Sequence, residues 1–396
     1  MAKVTLNTRE FASMLNKVSK CTSKGGIALV AQLVEIRLNN GTLSLRTTDT
    51  RNIMILRKSG VAGDDFVATI SLDVFEKIVS RTSKEEIELV VDDRSVQLKG
   101  NGVYNFPLTI EGDEPVTFPR IGMIEDPEVK KQFAVKDFLD AIKNNGDFVG
   151  SPFVDPSLSG FYFGDNVVTS DLCTCCYLHR KFFDTPVMLY PTTLALLNEI
   201  SDENVIFLKK GRKIQFVSST CLIDSVVHSD VDNFPVDDFN QYLTEQFGSG
   251  VTISKKAAVE ILERVSFFVD MKTEYGATIF DFKEDGIVIS DRNGKASEVL
   301  PFTNPVNFQP FVCHVPAIDL IKVLDIEGDD EIVLWYANPT ALRIDVNNVT
   351  RILALVDPDD LDSVAEMQVS PSSEAAEVDS AESTYSPEDE FADVQW

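Results

Sequence analysis

The sequence predicts an α+β protein made of three copies of one unit, each with two helices packed on one face of antiparallel sheet. Three observations carry this. An apolar stripe at helical spacing (Phe11, Met14, Leu15, Val18) recurs at Val135, Phe138, Leu139, Ile142 and at Ala258, Ile261, Leu262, Val265, offsets of 124 and 123 residues. A second stripe (Leu72, Phe75, Val79) recurs at Thr193, Leu196, Leu197, Ile200 and at Ala317, Leu320, Ile321, Leu324, offsets of 121 and 124. Between the stripes, "QLVEIRLNNGTLSLRTTD", "LSGFYFGDNVVTSD" and "GATIFDFKEDGIVISD" read as hairpins whose second strand ends in Thr or Ser followed by Asp49, Asp171 or Asp291. One stripe marks any helix that packs on a core, whereas two recurring in the same order at one period mark a triplication.

Taken in order, each unit runs helix, hairpin, strand, helix, strands. The second half of the pattern is written as "VATISLDVFEKIVSRTSKEEIELVV" from Val67, "TPVMLYPTTLALLNEISDENVIFL" from Thr185 and "FVCHVPAIDLIKVLDIEGDDEIVLW" from Phe311. Pro and acidic residues cluster in "EGDEPVTFPRIGMIEDPE" and "SDVDNFPVDDFNQ", which places the units at 1–124, 125–246 and 247–356. A chain of 396 residues exceeds what one core normally organises, in keeping with several units. Residues 357–396 hold thirteen Asp and Glu and no Lys or Arg, a composition too poor in apolar residues for a core and predicted to be disordered.

The net charge of −27 excludes a general polyanion binder, whose affinity rests on basic residues. It is unevenly placed. The six helices carry Arg9, Lys17, Lys20, Lys77, Arg81, Lys136, Lys143, Lys255, Lys256, Arg264 and Lys322 against nine acids, a net +2, while the rest of the first 356 residues holds −16. Arg9, Lys20, Lys77 and Arg81 lie opposite their apolar stripes with no acid between them, whereas Asp137, Asp140, Glu260, Glu263 and Asp319 share that face in the later units.

No chemistry-bearing motif stands out. "CTCC" at Cys173 to Cys176, near His179, has no second ligand pair at zinc-site spacing, and it reads as a strand with Cys173 and Cys175 on one face and Cys176 on the other. His228 and His314 are isolated and read as structural. There is no Walker-type phosphate loop, nucleophile elbow or paired-His motif, so the expectation is a protein without catalytic activity, metal or cofactor. With no signal-peptide pattern and no long apolar run, the chain reads as soluble, cytoplasmic and thiol-reduced, with no membrane partner.

The order and spacing of several landmarks resemble the bacterial-type β sliding clamp, the processivity factor of DNA polymerase III. These are "SKGG" at Ser23 to Gly26, "TTD" at Thr47 to Asp49, "PSLSGFYF" at Pro156 to Phe163, the Phe118–Pro119 and Phe234–Pro235 junctions, and the closing "TRILALV". The resemblance implies a head-to-tail homodimer ring around double-stranded DNA, serving a replicative polymerase and a clamp loader. Twelve helices at roughly 10 Å each give a circumference of about 120 Å and a bore of about 35–40 Å, wide enough for hydrated duplex. The helix cations, with Lys24 of the "SKGG" loop, would then face DNA as a diffuse positive field.

The resemblance also implies a partner-binding groove between the second and third units, lined by Leu172, Tyr177, Leu178, Phe239, Phe247, Ala317, Leu353 and Leu355. The chain departs from the family at Asp155, which stands before Pro156 where members often carry a basic residue. Within the tail, Tyr385, Phe391 and Trp396 fall among acids, a composition suited to docking a basic-rimmed apolar pocket through Phe391 and Trp396. Two other readings remain open at this point: a clamp-like adaptor that does not encircle DNA, distinguished by a less basic wall, and a metal- or nucleotide-dependent enzyme.

Overall fold

The computed structural model describes residues 1–23, 28–111, 114–116, 118–270 and 276–359. Its first unit comprises β1 (Ala2–Asn7), α1 (Thr8–Ser19), β2 (Leu33–Asn39), β3 (Thr42–Thr48), β4 (Ile53–Ser59), β5 (Phe66–Ser71), α2 (Leu72–Ser80), β6 (Glu86–Val91), β7 (Ser95–Lys99) and β8 (Val103–Pro107). A small hairpin, β9 (Ile110–Glu111) and β10 (Glu114–Pro115), follows. The second unit repeats the order as β11 (Val129–Ala134), α3 (Val135–Ile142), β12 (Phe161–Phe163), β13 (Val167–Ser170), β14 (Thr174–Leu178), β15 (Val187–Leu189), α4 (Pro191–Leu196), β16 (Asn204–Lys210), β17 (Lys213–Val217) and β18 (Cys221–Val226). After a connecting helix α5 (Val236–Thr244), the third unit has β19 (Ser249–Ser254), α6 (Lys255–Ser266), β20 (Ala277–Lys283), β21 (Gly286–Ser290), β22 (Ser297–Leu300), β23 (Phe302–Val306), β24 (Phe311–Pro316), α7 (Ala317–Leu324), β25 (Glu331–Tyr336), β26 (Ala341–Val346) and β27 (Val349–Ala354).

Each stripe seen in the sequence becomes the buried face of a helix. Phe11, Leu15 and Val18 of α1 and Phe75 and Val79 of α2 are buried together, with the Phe11 and Phe75 rings edge to face at 6.0 Å. Side-chain caps start two of the helices: Asn7 Oδ1 accepts from the Glu10 N–H (3.1 Å) and Ser254 Oγ from Ala257 (3.1 Å). The stripe ending at Ile200 outruns its helix, because α4 gives way to a 3-10 turn over Leu197–Glu199. Asn40 and Gly41 join β2 to β3 with φ of 48° and 72°, the left-handed pair that a two-residue hairpin needs.

The repeated Asp is a turn cap. Asp49 Oδ1 accepts from the Arg51 and Asn52 N–H groups (2.9 and 2.6 Å), and Asp171 Oδ1 does the same for Cys173 and Thr174 (3.1 and 2.7 Å). Asp291 accepts from Asn293 and Ala296 in a longer loop.

The sheets do not stop at unit boundaries. In each unit one sheet joins the first strand to the three after the second helix, and another joins the hairpin to its neighbours. Last strand β18 of unit two then pairs antiparallel with β4 of unit one, and last strand β27 of unit three with β14 of unit two, fusing the inner sheets into an eight-stranded and a nine-stranded sheet. Helices cover one face of these sheets, over the main core. Connecting segments cross the other: residues 118–124 at the first junction, and α5 at the second, within the Pro- and acid-rich stretch that marks the unit boundary in the sequence.

Candidate functional surfaces

Arg9, Lys20, Arg81 and Lys136 are exposed and have no ion pair or side-chain hydrogen bond among the described residues. Lys77 is exposed beside Asp73 at 2.7 Å, an i,i+4 pair of the kind that solvent screens heavily. The remaining helix cations are engaged. Lys17 donates to Ser201 Oγ and Lys143 pairs with Glu327 (2.6 Å), each tying neighbouring units. Lys255 donates to the Ile326 carbonyl (2.7 Å), Lys256 lies 4.0 Å from Glu260, and Lys322 pairs with Asp171 and sits 3.9 Å from Asp319.

Arg264 makes a two-pronged contact with Glu298 (2.8 and 2.6 Å), which raises the guanidinium's pKa and lowers the carboxyl's. The Lys143 ammonium is likewise raised, first by its bond to Glu327. Asp319 is raised by burial, with Asp171 adding and Lys322 opposing. Lys24 lies outside the described residues.

The eight groove residues divide across the sheet, because neighbours on a strand point to opposite faces. Tyr177, Phe239 and Phe247 meet on the outer face, where the Tyr177 hydroxyl donates to the Phe239 carbonyl (2.6 Å) and holds α5 against the sheet. Leu178, Ala317 and Leu353 are sealed in the helix-side core, and Leu355 packs half-buried at its margin. Leu172 is 57% exposed, at φ 83° in the turn that Asp171 caps; Thr50 takes the equivalent position at φ 81°. Phe391 and Trp396 lie outside the described residues.

Sequence reasoning passes over three features. Arg351, only 2% exposed, points from β27 into the end of α7, donating to the carbonyls of Lys322, Val323 and Asp325 (3.2, 2.9 and 2.7 Å) while its guanidinium covers the Phe148 ring at 4.8 Å. It satisfies helix-end acceptors and locks unit three onto unit two. Phe153 and Val154 project 97% and 72% exposed from the loop before Pro156, while Asp155 caps the turn by accepting from the Ser157 N–H (2.8 Å). Finally, the strands homologous in position to the junction pairs are edge strands among the described residues: there β8 has no partner like β4 or β14, and β22 none like β18 or β27. Val103 on β8 and Val299 on β22 are 59% and 54% exposed.

One nucleophile–base pairing needs testing. Ser159 Oγ lies 3.0 Å from His228 Nε2, but His228 Nδ1 accepts from the Asp230 N–H (3.2 Å) and Ser159 donates to the Pro156 carbonyl (2.8 Å). The imidazole proton is therefore on Nε2 and the ring cannot take one from the serine, so this is a satisfied structural chain. Cys175 and Cys176 face opposite sides of β14, as strand alternation requires. No group of three or more metal-ligating side chains occurs among the described residues. No described helix is long and apolar enough to cross a membrane.

No family model matches the chain, and no curated protein matches it in sequence. Solved structures share its fold. The DNA polymerase III β subunit of Thermotoga maritima superposes with a TM-score of 0.76 at 16% identity, over 90% of this chain and 100% of that one. The β chain of Streptococcus pneumoniae gives 0.78 at 15%, and the sliding clamp of Bartonella birtlesii bound to griselimycin 0.77 at 15%, with the same coverage. The chain thus has the three-unit clamp fold along nearly its whole described length.

Proposed function

We propose that the protein is a sliding clamp: two copies close head to tail into a ring that encircles duplex DNA and tethers the replicative polymerase, a clamp loader opening the ring to admit the DNA. The observation that carries this reading is the complementarity of the open edges. Within the chain, two last strands already pair with two third hairpin strands, so the unmatched β8 and β22 are the same pair divided between copies. Closure would place six helices per copy on the inside. There the unpaired Arg9, Lys20, Arg81 and Lys136 give a weak positive field on phosphates without base-reading groups, which holds DNA near the axis and leaves it free to slide. The ring performs no chemistry; its effect is to keep polymerase and template together. The action belongs in the cytoplasm, with the replication machinery.

In this reading partner peptides approach the second junction from outside, and the accessible parts of the groove are Leu172, Phe247 and Leu355, the sealed members serving as its floor. The test is topological. The protein loaded on a nicked circle should be retained, then lost within the dead time when the circle is linearised, and its mass in solution should be about twice 43.9 kDa. Equal dissociation from circle and linear DNA would refute encirclement.

A further inference from the structure

At the first junction the outer face of unit one carries an open, cationic hollow of about 900 Å³ where the sheet meets the strap of residues 118–124. Its polar wall is Arg37, Arg46, Arg120 and Glu35, flanked by Val67 and Phe118. Glu35 is 4% exposed and stands opposite Arg46 in the β2–β3 register, yet its carboxylate is 3.8 Å from Arg46 and 3.6 Å from Arg37, beyond hydrogen-bond distance. Among the described residues the buried Nε atoms of Arg37 and Arg46 have no hydrogen-bond partner, and Arg46 donates to the Pro119 carbonyl (3.2 Å). Arg120 is exposed and has no ion pair among the described residues. Burial is the main cause that lowers the Arg46 pKa, with Glu35 opposing it and Arg37 and Arg57 adding to it; the hollow's lining sets three guanidinium groups against one carboxylate in a protein of net charge −27. On the matching face of unit two Tyr162 stacks on Phe234 (4.5 Å, 8°) beside a smaller hollow of about 490 Å³, whose charged lining of Asp165, Asp184 and Asp237 with Lys181 is acidic rather than cationic.

A hollow with surplus guanidinium donors and an apolar rim fits an acidic peptide with aromatic anchors. We propose that its occupant is residues 385–396 of this protein, "YSPEDEFADVQW", with four acids, three aromatics and no cation. The carboxylates would take the exposed guanidinium ends of Arg37 and Arg120, with Arg46 adding charge from behind, and Phe391 or Trp396 would cover the exposed Val67. The 37 residues after Asp359 span up to about 120 Å when extended, enough to reach the hollow of the same or an adjacent copy. The inference stands independently of the ring.

The test uses the full chain carrying Trp335→Phe, leaving Trp396 as the sole tryptophan. Its emission should be blue-shifted and protected from acrylamide. Arg37→Glu with Arg120→Glu should weaken docking on the order of tenfold and return the emission toward that of free peptide, read at a temperature where the variant is fully folded because Arg37→Glu sets like charge beside buried Glu35. Should the double variant misfold, Arg120→Glu alone gives a smaller shift in the same direction. Water-like emission in the parent overturns the proposal. So does a blue shift that survives the reversals, or one abolished instead by Arg9→Ala, Lys20→Ala and Arg81→Ala, which would put the segment on the helix wall.

Discussion

The helices of units one and three have nearly the same number of cations and differ in how many of them the fold has already paired. In unit one, Arg9, Lys20 and Arg81 are unpaired and Lys77 has only a screened neighbour. In unit three, Lys255 is bound to carbonyls, Arg264 to Glu298 and Lys322 to Asp171, while Lys256, like Lys77, has only a screened i,i+4 neighbour. A cation on a helix is therefore not a cation available to DNA. What matters is whether the fold has already given it a partner, and in unit three most of the positive charge holds the protein together.

The largest effect should come from removing the free wall. Arg9→Ala, Lys20→Ala, Lys77→Ala and Arg81→Ala together are expected to flatten the plot of log affinity against log salt by up to about 3 to 4, since each phosphate contact contributes about 0.9. The corresponding change from Lys256→Ala with Arg264→Ala should be below about 1. Both sets should fold, exposed substitutions usually staying within about ±0.5 kcal/mol. Equal slopes would erase the contrast between the units. A smaller effect of opposite sign sharpens it: Glu298→Gln releases Arg264, so retention on DNA should rise modestly and become more salt-sensitive, whereas unchanged binding would show that Arg264 is not on the DNA side.

The smallest effect is a pH dependence on the same wall. Asp319 has a folded pKa raised by burial, so its ionised form costs stability at neutral pH and that cost disappears as pH falls through the raised value. Asp319→Asn should thus be neutral to slightly stabilising at pH 7 and lose that advantage toward pH 4. Urea titrations at the two pH values measure it, and an advantage that grows on acidification would mean the carboxylate is stabilised in place.

Much of this fold is legible in the sequence because helix stripes and hairpin turns are local. The Phe11 to Val18 and Ala258 to Val265 stripes each report contacts made within a few turns of chain. The tally of wall charge was less informative because its partners are remote: Glu298 lies 34 residues from Arg264, Asp171 lies 151 from Lys322 and Glu327 lies 184 from Lys143. Cross-unit strand pairing escapes for the same reason, since β4 and β18 have ordinary sequences and only their meeting is informative. The division of the groove was recoverable, because Tyr177 and Leu178 are adjacent on a strand and cannot share a face.

The open ends of the chain also bear on geometry. If every junction turns the chain through one fixed angle, six units meet without a gap only when that angle is about 60°. A few degrees more or less at each vertex accumulates six times, leaving an overlap or a lock-washer that grows into a filament. The two internal vertices are built differently, one from the 118–124 strap and buried Asn52, whose Oδ1 accepts from Thr193 and Ser225 (2.7 Å each), the other from α5 and Arg351, yet in a closed ring both would hold the same angle. In the proposed ring the buried arginine would be a protractor as much as a rivet, helping to set the number of copies that complete the polygon.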